Sequence, residues 1–197
     1  MFKKSLLLAI AFICTSAICS FAQDWKSIVN DIAKTAIGDN ATSAQTIIGN
    51  WTYKGAASQF ESDNLLAKAG GTAVSSKIDT ELEKIYSKIG FNVVNFTFNK
   101  DNTYSLVLGK ITSKGTYSFD PQTKKITLKT KLGVTLNANV VTLGNNMSIL
   151  FKADKLMDAL KALTGMATKI NSSAGTITEV FKNYDGLKVG FELTKMN

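Results

Sequence analysis

Histidine and arginine are missing from this 197-residue chain, so all 23 of its basic side chains are lysines. The first absence removes the usual metal ligand and the usual general base at neutral pH. The second removes the planar fork that grips phosphate or carboxylate with two parallel bonds. Cysteine is confined to Cys14 and Cys19, both inside an apolar leader, so the chain beyond it has neither a disulfide nor a thiol nucleophile. No later run reaches about eighteen consecutive apolar residues, so nothing after the leader is expected to span a membrane as a helix. No glycine-rich turn follows a strand either. Gly70-Gly71 comes after a helical segment, the wrong order for cradling a phosphate. The lysines are scattered rather than gathered on one face with interleaved aromatics, which argues against nucleic acid. No cofactor and no metal are implied.

What is present begins with the leader. Residues 1–22 read as a signal peptide: Lys3 and Lys4 supply the positive start, Leu6 to Ile18 the apolar stretch, and Ser20-Phe21-Ala22 the small-x-small cleavage pattern. The expected product starts at Gln23 and is exported, periplasmic or secreted. Acylation of Cys19 would call for small residues just before it, and bulky Ile18 stands there. Losing Lys3 and Lys4 lowers the formal net charge from +8 to about +6. The remaining 175 residues suffice for one domain that buries something like 70% of its unfolded surface.

Periodicity divides that chain into a helical arm, residues 23–48, and a barrel domain, residues 49–197. In the arm, Trp25, Ile28, Val29, Ile32, Ala36 and Ile37 recur at helical spacing and Gly38-Asp39-Asn40 stops them. Ala44 to Ile48 bridges, as helix or extended chain, into Gly49-Asn50-Trp51-Thr52-Tyr53-Lys54, a first strand whose Trp51 and Tyr53 share a face. Two helical segments follow: Leu65 to Ala69, then a longer one carrying Val74, Ile78, Leu82, Ile85 and Ile89, with Gly90 as its C′ residue.

Residues 91–152 alternate with period two between turn signals. Val94, Phe96 and Phe98 mark one strand, and Tyr104, Leu106 and Leu108 a second. A turn near Gly109 to Ser113 precedes Gly115 to Phe119. Asp120-Pro121-Gln122-Thr123 turns the chain into Ile126, Leu128 and Thr130. Val134 to Val140 and Met147 to Phe151 flank the hairpin signal Gly144-Asn145-Asn146. Helical spacing returns from Asp154 through Leu156, Leu160, Leu163 and Ala167, and Thr176-x-x-Glu179 is a capping box for another short helix. Leu187, Val189, Phe191 and Leu193 then form a last strand. One strand, a six-strand meander and one more make eight, the number at which an antiparallel sheet can close and hide its edges if the last pairs with the first. The expected fold is therefore mainly β with added helices (α+β): an eight-stranded antiparallel up-and-down barrel, with an N-terminal helix and helical insertions after strand 1 and before the last strand.

The chain resembles the lipocalin-like, calycin-type superfold, and more closely a lipocalin-like family of exported proteins from Gram-negative gut bacteria. The likeness is carried by Gly49-Asn50-Trp51-Thr52-Tyr53-Lys54-Gly55 and by Phe60-Glu61-Ser62-Asp63-Asn64-Leu65-Leu66-Ala67-Lys68-Ala69-Gly70-Gly71. It implies a fold and a surface location, and no activity. Lipocalins proper stack a late arginine on the first-motif tryptophan; this chain departs from that pattern.

An eight-stranded barrel is either filled by its side chains or holds one small ligand. The expected inward wall is Tyr53, Phe96, Phe98, Tyr104, Leu106, Tyr117, Phe119, Leu128, Leu136 and Phe191. Apolar surface carrying three phenol hydroxyls suits a small hydrophobic or amphipathic ligand. The alternative is a filled core, in a structural or interaction module that meets a protein or glycan partner through its helices or loops. Trp51 is assigned to closing the barrel floor. Lys124, Lys125, Lys129 and Lys131 crowd one hairpin, the last three on the face opposite Ile126 and Leu128, and are expected to form a solvated outer face; the alternative is a contact with anionic lipid or acidic glycan. Catalysis by carboxylates alone would have to use Glu61, Asp63, Asp79, Glu81 or Glu83, and their places at caps and on an amphipathic helix account for them as solvated or lysine-paired. The expected protein is not an enzyme.

Overall fold

The structure, a computed structural model, describes residues 42–61, 72–164 and 186–196, all within one compact unit, Ile37–Asn197. In chain order they form α1 (Ala44–Ile47), β1 (Gly49–Phe60), α2 (Thr72–Lys88), a 3-10 turn (Phe91–Val93), β2 (Asn95–Phe98), β3 (Thr103–Leu108), β4 (Ile111–Asp120), β5 (Lys125–Thr130), β6 (Thr135–Leu143), β7 (Asn146–Lys152), α3 (Ala153–Thr164) and β8 (Leu187–Lys195). The expected helices at 25–37, 65–69 and after Thr176 lie outside the described residues. Among the described residues, no helix is long and apolar enough to cross a membrane.

The eight strands pair in sequence order, all antiparallel, and β8 returns to β1, closing the barrel. Closure runs from Trp51 opposite Lys195 to Phe60 opposite Leu187. Alternation decides the faces. Ile126 and Leu128 on β5, Leu136, Ala138 and Val140 on β6, and Leu187, Val189, Phe191 and Leu193 on β8 are all buried, so those positions point inward and their neighbours outward. Turn chemistry sets the hairpins. Gly109 and Gly144 take φ of 56° in two-residue turns between Leu108 and Ile111 and between Leu143 and Asn146. The Asp120 carboxylate accepts from the Gln122 N–H at 2.9 Å and the Thr123 hydroxyl at 2.6 Å.

Two expected boundaries move. β4 begins at Ile111, so the turn expected to reach Ser113 is only Gly109-Lys110; cross-strand pairing of Leu108 with Ile111 wins over the polar run that follows. β1 runs on to Phe60 through Gly55-Ala56-Ala57, with a bulge between Tyr53 and Gly55. Those small residues have little strand propensity of their own. Pairing with β8 imposes the extended form, and the bulge restores inward parity so that Ala56, Ser58 and Phe60 stand opposite Phe191, Val189 and Leu187.

One end of the barrel is shut by α1. Ser43 and Thr46 form a reciprocal capping box, and the helix is tied down by the Thr46 and Thr142 hydroxyls at 2.8 Å and by the Thr142 N–H donating to the Thr42 hydroxyl at 2.9 Å. Trp51 lies beneath it, 0% exposed, its indole N–H donating to the Ile47 carbonyl at 2.8 Å. The floor role expected for Trp51 is what this geometry provides. Lys195 Nζ sits 5.3 Å from the centre of the Trp51 ring, within cation–π range of its face.

The other distinctive element is α2. Because β2 has only four residues, it pairs with β1 no further than Thr52, opposite Asn95. Beyond that point α2 packs along β1 instead. Glu83 Oε1 accepts from the Ala56 N–H at 2.6 Å and the Ser58 hydroxyl donates to the Ser75 carbonyl at 3.3 Å. A helix thus completes the wall where the sheet is too short to do so.

Candidate functional site

All ten expected wall residues belong to one apolar cluster: Phe96, Phe98, Tyr104, Leu106, Tyr117, Leu128, Leu136 and Phe191 are buried in it, while Tyr53 and Phe119 are half-buried against it. The rings meet one another. Phe98 lies 6.1 Å from Phe96, 6.3 Å from Tyr104 and 5.2 Å edge-on from Tyr117, distances at which aromatic pairs attract. Phe191 is the hub, with Phe91 stacked at 4.5 Å, Tyr86 at 5.0 Å, Phe96 and Phe151 at 6.1 Å and Tyr53 at 6.4 Å.

Two of these partners, Tyr86 and Phe91, come from α2 and the 3-10 turn rather than from a strand, and the expected wall omitted them. A signal for both exists in the sequence. Tyr86 adjoins the apolar stripe Ile78, Leu82, Ile85 and Ile89, and Phe91 follows Gly90, whose φ of 75° makes it the C′ residue after which a helix commonly folds an apolar side chain back.

The phenols find backbone rather than one another. Tyr117 donates to the Asn99 carbonyl at 2.9 Å and Tyr86 to the Gly190 carbonyl at 3.2 Å. Burial raises the pKa of the Tyr104 phenol, partly offset by a hydrogen bond with Ser113. Tyr53 is different: its hydroxyl is sealed from solvent with no partner of good geometry. Burial first, and the Glu83 carboxylate beside it second, hold its pKa far above the ordinary phenol value. Tyr86 is raised as well, by burial and then by Asp79 and Glu83.

The carboxylates need correction. Asp79 is buried and Glu83 caps a β1 amide, so neither is the solvated helix residue that spacing suggested. The apolar stripe of α2 turns its face, and these two acids with it, into the barrel wall. Glu81 does pair with Lys84, at 2.6 Å, and Asp63 lies outside the described residues. In the lysine-rich hairpin, Lys125, Lys129 and Lys131 are exposed as expected. Lys124 instead donates to the Thr42 carbonyl at 2.9 Å, bracing α1.

On the outside of β5–β8 lies a groove of about 650 Å³, lined by Lys125, Thr135, Asn137, Asn139, Leu150, Lys152, Lys155 and Lys188, with Glu61 and Ala138. Apart from the inward Ala138, its strand residues occupy the positions that alternate with the inward ones, while Glu61 follows β1 and Lys155 lies on α3.

The profile of the lipocalin-like domain family DUF4923 matches residues 24–195. The chain belongs to this lipocalin-like family. No curated protein matches it. A solved structure similar to this lipocalin-like chain is that of a DUF4847 family protein from Bacteroides vulgatus, at 11% identity and a TM-score of 0.36, covering 77% of this chain and 96% of the other.

Proposed function

We propose that this lipocalin-like protein is an exported, non-enzymatic interaction module whose barrel interior is a structural core and whose partner is met on the outer surface. The observation that carries the reading is Phe191, 1% exposed and packed against rings from β1, β2, β7, α2 and the 3-10 turn. A side chain so placed occupies the space that a ligand-carrying barrel of eight strands keeps for its guest. Ring contacts among the expected wall residues, such as Phe98 with Phe96, Tyr104 and Tyr117, support this reading.

A second reading, a small amphipathic ligand held inside the barrel, draws on the Tyr53 hydroxyl, a sealed donor without a partner of good geometry that such a ligand would satisfy. Native mass spectrometry and displacement of a fluorescent lipid probe separate the two. The proposal expects the bare chain mass and no saturable displacement. Saturable displacement that weakens in Tyr53→Phe would replace it with the second reading.

A further inference from the structure

The groove outside β5–β8 combines features that a merely solvated face does not need. Among the described residues four lysines and one glutamate line it, an excess of three positive charges in one concavity. Lys152 and Lys188 stand directly opposite each other on β7 and β8, an arrangement of like charges that costs a sheet stability. Glu61 answers only in part, at 3.5 Å from Lys188, and Lys155 meets Asp154 at 3.5 Å in an exposed pair worth little in water. Between the ammoniums lie the carboxamides of Asn137 and Asn139 and the hydroxyl of Thr135, groups that both donate and accept, with Leu150 buried beneath them.

We infer that this groove binds an acidic oligosaccharide, a short sugar chain bearing sulfate or carboxylate groups. The inference rests on the outward-acting reading and gives it a site. Spanning four strands, the groove is about 14 Å across, and its volume of about 650 Å³ falls within the range of small-ligand sites. A concavity of that kind admits a narrow chain, whereas a flat bilayer would touch only its rim. An extended acidic peptide would seek a free strand edge to pair with, and β5 to β8 are each paired on both sides. Among the described residues no aromatic side chain lines the groove, so they offer bases of single-stranded nucleic acid no platform to stack on. A charged sugar chain uses what is there: ammoniums for its oxyanions, amides and a hydroxyl for its hydroxyls. Lysine serves as a point charge and needs no planar match.

The test is titration calorimetry on the full exported chain at about 0.15 M salt, with a heparin-derived tetrasaccharide, trigalacturonate and neutral maltotriose as probes. One or both acidic saccharides should bind saturably and maltotriose should not. The double variant Lys152→Gln, Lys188→Gln should weaken binding by about tenfold or more. The variant Lys129→Gln, Lys131→Gln, which removes the same charge from a neighbouring exposed surface, should change it by less than about threefold. Lys155→Gln gives an independent check from α3, and a cooperative thermal melt with a midpoint at or above that of the unsubstituted chain shows that each variant is folded. Absence of binding by either acidic saccharide overturns the inference. So does equal weakening in both double variants, which would reveal only a diffuse field. Binding to phosphatidylglycerol vesicles that disappears with Lys152 and Lys188, or equal competition by hexaglutamate, would reassign the groove to a membrane or a peptide. Lipid-probe displacement on the same samples keeps the two readings apart, because saturable displacement would sink the filled core while leaving the groove result standing.

Discussion

Phe191→Ala is the most direct challenge to a filled barrel. The ring is 1% exposed and contacts five other aromatic rings, stacking on Phe91 at 4.5 Å. Truncating a buried phenylalanine costs about 3–5 kcal/mol when the surroundings cannot collapse. Here they cannot readily do so, because the neighbours are held by β1, β2, β7 and β8 and by the Tyr86 hydrogen bond to Gly190. The loss should therefore fall in the upper half of that range, about 4–5 kcal/mol. For a domain of this size that is a fall of about 8–20 °C in the thermal midpoint. Urea unfolding followed by far-ultraviolet circular dichroism, with the slope on denaturant unchanged, is the measurement. Phe119→Ala, at a half-buried wall position, serves as the comparison and should cost less than about half as much. A loss below about 1.5 kcal/mol for Phe191→Ala would mean that the ring borders space it does not fill, and the packed-core argument would fail with it.

Further expectations follow from the same geometry. Gly190→Ala should abolish or severely reduce soluble folded protein, since an added Cβ would stand 1.8 Å from the Ile149 carbonyl oxygen, a backbone atom with nowhere to go; recovery of a native thermal melt would contradict the β7–β8 register. Tyr53→Phe should be neutral or stabilising by up to about 1 kcal/mol, because it deletes a buried hydroxyl that makes no bond of good geometry; chemical denaturation showing a loss above about 1 kcal/mol would mean that the neighbouring Glu83 carboxylate holds it after all. Tyr53 and Tyr86 both have folded-state pKa values raised above the ordinary 10.0. Their contribution to stability is therefore fully present below pH 10 and is lost as pH rises above it. Tyrosinate absorbance at alkaline pH should show these two phenols titrating only together with unfolding, and early reversible titration of all five tyrosines in folded protein would refute this.

The strands were legible because half-buried strands write their faces into alternate residues: Tyr104-x-Leu106-x-Leu108 or Leu187-x-Val189-x-Phe191 admits few other readings. Gly-punctuated turns fixed most of their limits. The second half of β1 was not legible, since Gly55, Ala56 and Ala57 favour no structure locally and become a strand only through partners some 130 residues away on β8. All ten wall residues lie in or against one apolar cluster, yet periodicity within strands could not show that Tyr86 and Phe91 would arrive from a helix and a 3-10 turn to pack among them. The groove was hidden for a related reason. Lys125, Asn137, Lys152 and Lys188 sit on four separate strands, and only the barrel's register brings them to one place.

The helix that completes the wall leaves a seam of unlike strength. Elsewhere each strand is laced to its neighbour by a ladder of backbone bonds, but from Ala56 onward the α2 side of β1 is held chiefly by side chains, Glu83 to the Ala56 amide and Ser58 to the Ser75 carbonyl. Such a joint opens locally at a lower free energy than the closed ladders around it. Deuterium should therefore enter the Ala56 amide well before those of Phe191 or Ile149, at a rate that reports how often this joint parts rather than how often the whole barrel does.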